Sequence, residues 1–439
     1  MNTSSSASVP DAPASSRPKG SRVLIFTGVF PPEIGGAGMV PQAIATAFPD
    51  RVAIVTQRHS PEAPPITDWA AFDAQFPFKT FRIERFYSSV RWRPGKLRGI
   101  LILLYNALWI RPKAWLELRR LLASHPFDVA CLNTIGTCYW LPRALRWLNP
   151  QLKVIVYSHG EEWSGMKSTD WGRRMFRTIQ KADANVAVSS YTCGRAITEG
   201  IPATGVHLVN NGVDLNRFSP GPRHPELLDR WNLHGRPIIL CLARLDERKG
   251  QDAMIRAMPV ILQSVPQAVL LLVGGGTDGP RLQALVEELQ LQASVIFTGS
   301  VSAEEVVAWY RTADLYAMPN RTTDSGDTEG FGLVFLEAGA CGLPVIGGRA
   351  GGVPDAVLDG ETGFLIDGRA PAEIAAACTR LLLDPELRAT MGRNGLAHAA
   401  RNSWPQQAAK FLAICDATVY GSAPLPSTPD CETAQPLPR

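Results

Sequence analysis

Apolar residues in this chain come in short unbroken runs separated by longer stretches of mixed polarity. "RVLIFTGVFPP", beginning at Arg22, reads as a buried strand ending in turn residues. "RVAIVTQ", "DVACLN", "KVIVYSHG", "ANVAVSS" and "VHLVNNGVD" repeat the pattern, most of them separated by enough chain for a helix. A strand that is apolar throughout must be covered on both faces. The alternation therefore predicts a parallel sheet with helices on either side. "FSPGPRHPELLDRWNLHGRP" breaks the rhythm with Pro and Gly, and a second alternation starts at "IILCLARLDERKG". It continues through "AVLLLVGGG", "SVIFTGS", "DLYAMP" and "PVIGG", and "NSWPQQAAKFLAICDATVY" predicts a last helix.

These elements predict an α/β chain of two doubly wound, Rossmann-like domains, with a ligand crevice beyond the carboxyl ends of the strands. The expected divisions are a disordered lead-in over residues 1–20, a first domain over 21–214 and a linker over 215–236. A second domain follows over 237–401, then the final helix over 402–420 and a disordered tail over 421–439.

Composition narrows the class. The 439 residues are 45% hydrophobic and 19% charged, enough for more than one core. A net charge of +4, from 44 basic and 40 acidic groups, does not call for a nucleic-acid partner. None of the eight cysteines forms a C-x-x-C pair and most sit in apolar runs, the pattern of buried thiols in a reducing compartment. The Ser-, Ala- and Pro-rich N-terminus lacks the apolar stretch of a signal peptide, so the expected location is cytoplasmic. The longest apolar run, Ile100 to Ile110, falls short of the roughly 20 residues of a membrane-spanning helix.

Four segments carry candidate chemistry. In "PPEIGGAG", Gly35, Gly36 and Gly38 either form a flexible turn or let the backbone and a helix start approach a phosphate. In "ARLDERKGQD", Arg244 and Lys249 lie at the expected ligand edge, either as a solvated basic loop or as cations for a diphosphate. In "DTEGFGLVFLEAGACGLPV", Glu329 and Glu337 flank a glycine-rich helix start suited to an anion. Glu337, two turns into an apolar helix, is either a paired core carboxylate or a grip for the two hydroxyls of a ribose. In "VIVYSHGEEW", His159 ends a buried strand, in a structural or a functional role. A fifth match, Gly274, Gly276 and Gly279 of "VGGGTDGPRL", fits G-x-G-x-x-G, but no acid stands at the end of the next strand. It is read as a strand-to-helix turn lining the cleft and not as a nicotinamide site.

Taken together and in order, "GGAG", "SHG", "NNGVD", "ARLDERKGQD", "LLLVGGG", "FTGSVSAEEVVAWYRTADLYAMP", "EGFGLVFLEAGACGLPVIGGRAGGVPDAVLDGETGFLI" and "SW" resemble the retaining glycosyltransferases of family 4, which have the GT-B fold. The segment from Tyr316 to Gly348 looks most like the branch of GDP-mannose-dependent phosphatidylinositol mannosyltransferases. The resemblance implies a first domain that binds the acceptor, a second that binds the nucleotide-sugar donor, and a last helix that crosses back to the first domain. It implies that Arg244 and Lys249 hold the donor diphosphate, that Glu329 contacts the donor sugar and that His159 faces it. It further implies that Glu337 holds the ribose, that Gly35 and Gly36 approach the phosphates, and that the base lies near Val301. Backbone N–H groups of Gly330, Phe331, Gly332 and Leu333 would line the sugar and phosphate. Retention in such enzymes is ascribed to front-face attack. No second carboxylate is placed as a nucleophile and no D-x-D motif ends a strand, so neither a covalent intermediate nor a metal or cofactor is expected.

The implied reaction moves a hexose from a nucleoside diphosphate, GDP-mannose before a UDP-hexose, to a lipid-linked or saccharide acceptor. The alternatives are an epimerase or phosphorylase on the same fold and a non-catalytic sugar-binding protein. An exported binding protein would carry a signal peptide, and a pyridoxal-phosphate phosphorylase would need a Schiff-base lysine that has no context here. Residues 80–120 add ten basic side chains (Arg82, Arg85, Arg91, Arg93, Lys96, Arg98, Arg111, Lys113, Arg119 and Arg120) against Glu84 and Glu117, interleaved with Trp92, Trp109, Trp115 and the apolar "ILILLYNALWI". They read either as a core helix with a charged outer face or as a surface for anionic lipid at the inner face of the cytoplasmic membrane, worth roughly 1 kcal/mol per basic residue.

Overall fold

A computed structural model of the chain describes residues 20–32, 36–58, 66–86, 96–163 and 169–421. The expected tails, apart from Gly20 and Gly421, lie outside the described residues, as do Gly35, Arg91, Trp92 and Arg93. The first sheet has seven strands: β1 (Val23–Phe26), β2 (Val52–Gln57), β3 (Thr80–Ile83), β4 (Val129–Leu132), β5 (Lys153–Ser158), β6 (Ala184–Ala187) and β7 (Val206–Leu208). Their order is β3-β2-β1-β4-β5-β6-β7 and every pair is parallel.

The second sheet has six: β8 (Ile238–Leu242), β9 (Val269–Val273), β10 (Val295–Gly299), β11 (Leu315–Met318), β12 (Val345–Gly348) and β13 (Gly363–Ile366). Their order is β10-β9-β8-β11-β12-β13, again all parallel. β3 and β13 are additions to the strands read from the sequence. Both are edge strands, where pairing on one side suffices and no long apolar run is required. The segment expected as a linker contains a short helix, Pro225–Arg230.

Strand β1 shows why the apolar runs are continuous. Val23 and Ile25 enter one core, while Leu24 and Phe26 enter the core on the opposite face. The first of these cores extends through Phe411, Ile414 and Cys415 of the last helix, Trp404–Tyr420, into the second domain. That helix packs on Gly36–Ala47 and on β5, with the Tyr157 and Phe411 rings 5.7 Å apart. Its Asp416 accepts hydrogen bonds from Ser21 N and Oγ and from Arg51 Nη2. The chain passes between the domains along two adjacent segments, where Val213 N–H donates to Asn402 O and Trp404 N–H to Val213 O. A side chain at Gly212 would fall within 2.7 Å of the Trp404 backbone nitrogen, so the crossing requires glycine.

The helical stretch Lys96–Tyr105, Asn106–Ile110 and Arg111–Ser124 is continuous, with a π-turn in the middle. Pro112 accounts for the turn. It has no N–H and its ring displaces the preceding carbonyls, and Arg111 N–H reaches back five residues to Asn106 O. No helix among the described residues is long and apolar enough to cross a membrane.

Candidate active site

His159, after β5, packs against Gly330 of the second domain, and Arg244, Lys249 and Glu329 lie beside that contact. Arg244 follows β8 in a loop held by backbone contact. Gly274 and Gly276 sit so tightly under Ala243–Leu245 that an added Cβ would come within about 2.2 Å of a carbonyl oxygen at either position. The glycines of the fifth motif thus shape the loop that carries Arg244. The Arg244 side chain is exposed and makes no ion pair or side-chain hydrogen bond among the described residues. Gln251 Nε2 donates to its carbonyl at 2.8 Å.

Lys249 closes the short turn Glu247–Lys249, capped by Asp246, whose carboxylate accepts the N–H of Arg248. Gly250 follows in the left-handed region at φ 73°, where a Cβ would strike Pro319 O. The turn aims Lys249 Nζ at Glu329 Oε2, 2.5 Å away, with both side chains largely buried. Burial pushes the Glu329 carboxyl up, but Lys249, Arg248 and Arg244 together outweigh it and hold the group below its ordinary range. Arg248, which sequence reasoning passed over, also donates to Thr328 O at 3.0 Å and so ties the two loops together.

Beyond Glu329 the chain turns through Gly330, buried Phe331 and Gly332, at φ 92°, into the helix Leu333–Ala340. The N–H groups of Gly330, Phe331 and Gly332 find no acceptor among the described residues, leaving donors in the cleft beside the helix start. Two turns in, Glu337 is buried and accepts a 2.9 Å hydrogen bond from Tyr310 Oη. Burial raises its carboxyl above the ordinary range, opposed by Tyr310 and by the charge of Arg217. Arg217 also donates to Ala303 O, in the turn just after half-buried Val301.

On the opposite wall, His159 follows β5 directly. Glu162 turns back to accept the N–H groups of His159 and Gly160, at 3.0 and 2.8 Å. The imidazole stacks on Tyr157 and its Nε2 lies 3.0 Å from Asn133 Oδ1. Asn133 Nδ2 donates to Ala37 O, which leaves Oδ1 facing the ring and the ring proton on Nε2. Burial lowers the His159 pKa to about 4, with the Asn133 hydrogen bond opposing, so the ring is neutral at physiological pH. Gly330 packs against this wall; a Cβ there would lie 1.9 Å from His159 O. Gly36 begins the helix Gly36–Ala47 and is exposed, with nothing within 4 Å of an added Cβ.

The structure therefore gathers Arg244, Lys249, Glu329 and His159 along one cleft, with Glu337 and Val301 toward one end. Asn133, Glu162, Arg217, Arg248 and Tyr310 support them and had no spacing signal of their own. Arg248 alone was adjacent to a residue already singled out.

Two Rossmann-like domains facing a cleft of this kind define the GT-B class of glycosyltransferases. The chain belongs to the glycosyltransferase group 1/family 4 family: the family described as "Glycosyl transferases group 1" matches residues 225–398, and "Glycosyltransferase Family 4" matches residues 34–217. It is 35% identical to a GDP-mannose-dependent alpha-(1-6)-phosphatidylinositol monomannoside mannosyltransferase of Mycobacterium tuberculosis, over 89% of this chain and 97% of that one. It is 39% identical to a D-inositol 3-phosphate glycosyltransferase of Corynebacterium jeikeium, over 63% of this chain and 70% of its relative. Among solved structures, Anabaena HepE in complex with UDP superposes with a TM-score of 0.69 at 22% identity, over 90% of this chain and all of the other.

Proposed function

We propose that the protein is a retaining, metal-independent hexosyltransferase that moves mannose from GDP-mannose to a lipid-linked acceptor. The observation that carries the reading is the Lys249–Glu329 pair, set between exposed Arg244 and the unpaired N–H groups that precede the helix Leu333–Ala340. In this reading Arg244 and Lys249 hold the diphosphate and stabilise the charge that develops on it. Gly36 and the N–H groups of Gly330 to Leu333 approach the phosphate and sugar, Glu329 accepts from sugar hydroxyls, and Glu337 holds the ribose. The base rests near Val301, and neutral His159 faces the sugar from the other wall. The acceptor hydroxyl attacks the anomeric carbon on the face the diphosphate leaves. The bond from that carbon to the diphosphate oxygen breaks, and the hydroxyl proton passes to a diphosphate oxygen. The similarity to GDP-mannose-dependent relatives supports the choice of donor.

The test is turnover of GDP-mannose and UDP-glucose in chelator, with phosphatidylinositol mannoside vesicles, and assignment of the product anomer by NMR. An α-mannosylated lipid formed in chelator is the expected result. Use of UDP-glucose alone overturns the donor, a β product overturns retention, and loss of activity in chelator overturns metal independence.

Docking on the inner face of the cytoplasmic membrane belongs to the same proposal. Among the described basic side chains, several are engaged within the protein. Arg82 pairs with Asp73 and lies 4.0 Å over the Trp69 ring, Arg111 donates to Tyr139 Oη, and Lys113 pairs with Glu84. What the surface does offer is apolar: Ile100, Leu101, Leu104, Leu108 and Trp109 are exposed, Leu108 by 71%. Burying each leucine in lipid contributes roughly 1.5–3 kcal/mol, against about 1 kcal/mol for a basic residue near an anionic surface. Insertion of this helix, with Arg119 and Arg120 assisting, is therefore the stronger term.

A further inference from the structure

The motif "GGVPDAVLDGETGFLI", which begins in the turn after β12, supplies a carboxylate outside the donor chemistry. Its carboxylate, Asp355, reaches across the seam. Asp355 Oδ2 accepts the N–H of Ser190 at 2.5 Å and Asn210 Nδ2 at 3.2 Å, both in the first domain. Ser190 opens the nine-residue helix Ser190–Thr198, whose positive end a carboxylate complements. The first N–H of a helix in one domain, whose cap is its own Ser189, is thus held by a carboxylate of the other, across 165 residues of sequence.

Both ends of this contact are wired to the cleft. On the first domain, Val188 N–H donates to Ser158 O at 3.2 Å, immediately before His159, and Asn210 Nδ2 also holds Val188 O. On the second, Gly352 N–H donates to Glu329 O at 2.8 Å. Gly352 lies so close to the first domain that a Cβ would fall 2.5 Å from Ser189 Oγ. The path from Glu329 through Gly352 and Asp355 to Ser190, Val188 and His159 consists of backbone bonds and one carboxylate.

We propose that Asp355 is a positioning residue that latches the two domains together and sets His159 in register with Glu329. It forms when the cleft closes and is released when the cleft opens for exchange of donor and nucleotide. The consequence for turnover rests on the transferase reading; the latch does not.

The experiment compares the full chain with Asp355→Ala and Asp355→Asn by small-angle scattering, nucleotide-binding calorimetry and steady-state kinetics. Asn keeps a carbonyl oxygen for the Ser190 N–H. Asp355→Ala is expected to enlarge the radius of gyration and to lower kcat by about tenfold to a hundredfold, the effect of a misplacement near 1 Å. Donor KM should change by less than about threefold, and Asp355→Asn should recover most of both losses. Unchanged scattering and kcat in Asp355→Ala would overturn the latch. So would a rise in donor KM at constant kcat, which would assign Asp355 to donor binding. Should Asp355→Ala fail to fold, Asn210→Ala provides the same comparison. If the wild type transfers no sugar, the transferase reading fails while scattering still decides the latch.

Discussion

Lys249 Nζ lies 2.5 Å from Glu329 Oε2, a contact made across 80 residues between the loop after β8 and the loop before the helix Leu333–Ala340. Neither charge is free at the cleft, and Lys249 is foremost among the cations that hold the Glu329 carboxyl below its ordinary range. Lys249→Ala removes the nearest cation from Glu329 and lets burial push that carboxyl up. Turnover is expected to fall by about 10²–10³, the cost of losing one preorganised electrostatic contact. Single-turnover kinetics check this, and a fall of only a few-fold would remove Lys249 from the reaction.

Tyr310 makes a second test separable from the first. Its hydroxyl is the hydrogen-bond donor to buried Glu337. Tyr310→Phe leaves that carboxylate short of a partner, and a hydrogen bond to a charged group is worth about 1.5–3 kcal/mol. GDP affinity should weaken by about tenfold or more as Glu337 loses the hydrogen bond that aims it. Calorimetry measures it directly. Equal affinity in wild type and variant would mean that Glu337 is a packing residue with no hold on the ribose.

His159 gives a pH signature. Its folded-state pKa, about 4, lies below the ordinary 6.5, so the unfolded chain takes up the proton first as pH falls. The contribution to stability is complete above pH 6.5 and is lost as pH drops through that value toward 4. Denaturant unfolding at pH 7.5 and 4.5 should show His159→Gln losing roughly 2–3 kcal/mol less than wild type over that interval. Equal losses would place the ring in contact with solvent.

For the membrane surface, the apolar and basic contributions can be told apart. Leu108→Gln combined with Trp109→Ser is expected to lower partitioning onto anionic vesicles by about tenfold or more. Arg119→Gln combined with Arg120→Gln should cost less and only at low salt. A larger effect from the arginines would reverse the ranking, and no binding by the wild type would end the proposal.

The alternation of apolar runs was enough to place two parallel sheets and the final helix. A strand buried on both faces, as Val23, Leu24, Ile25 and Phe26 are, leaves an unbroken apolar signature that depends on nothing distant. The loops holding Arg244, Lys249, Glu329 and His159 were legible for a related reason, because they follow such strands or precede a helix start. Edge strands β3 and β13 escaped because one-sided pairing asks little of their side chains. The tertiary structure alone decided which side chains meet. Nothing in residue spacing joins Tyr310 to Glu337, Arg217 to the turn after Val301, or Asp355 to Ser190, since crossover connections bring those positions together. It also decided which side chains of residues 100–109 are exposed. An apolar run is equally suited to a core or to a lipid surface, and only the packing of the rest of the domain leaves Leu108 and Trp109 facing outward.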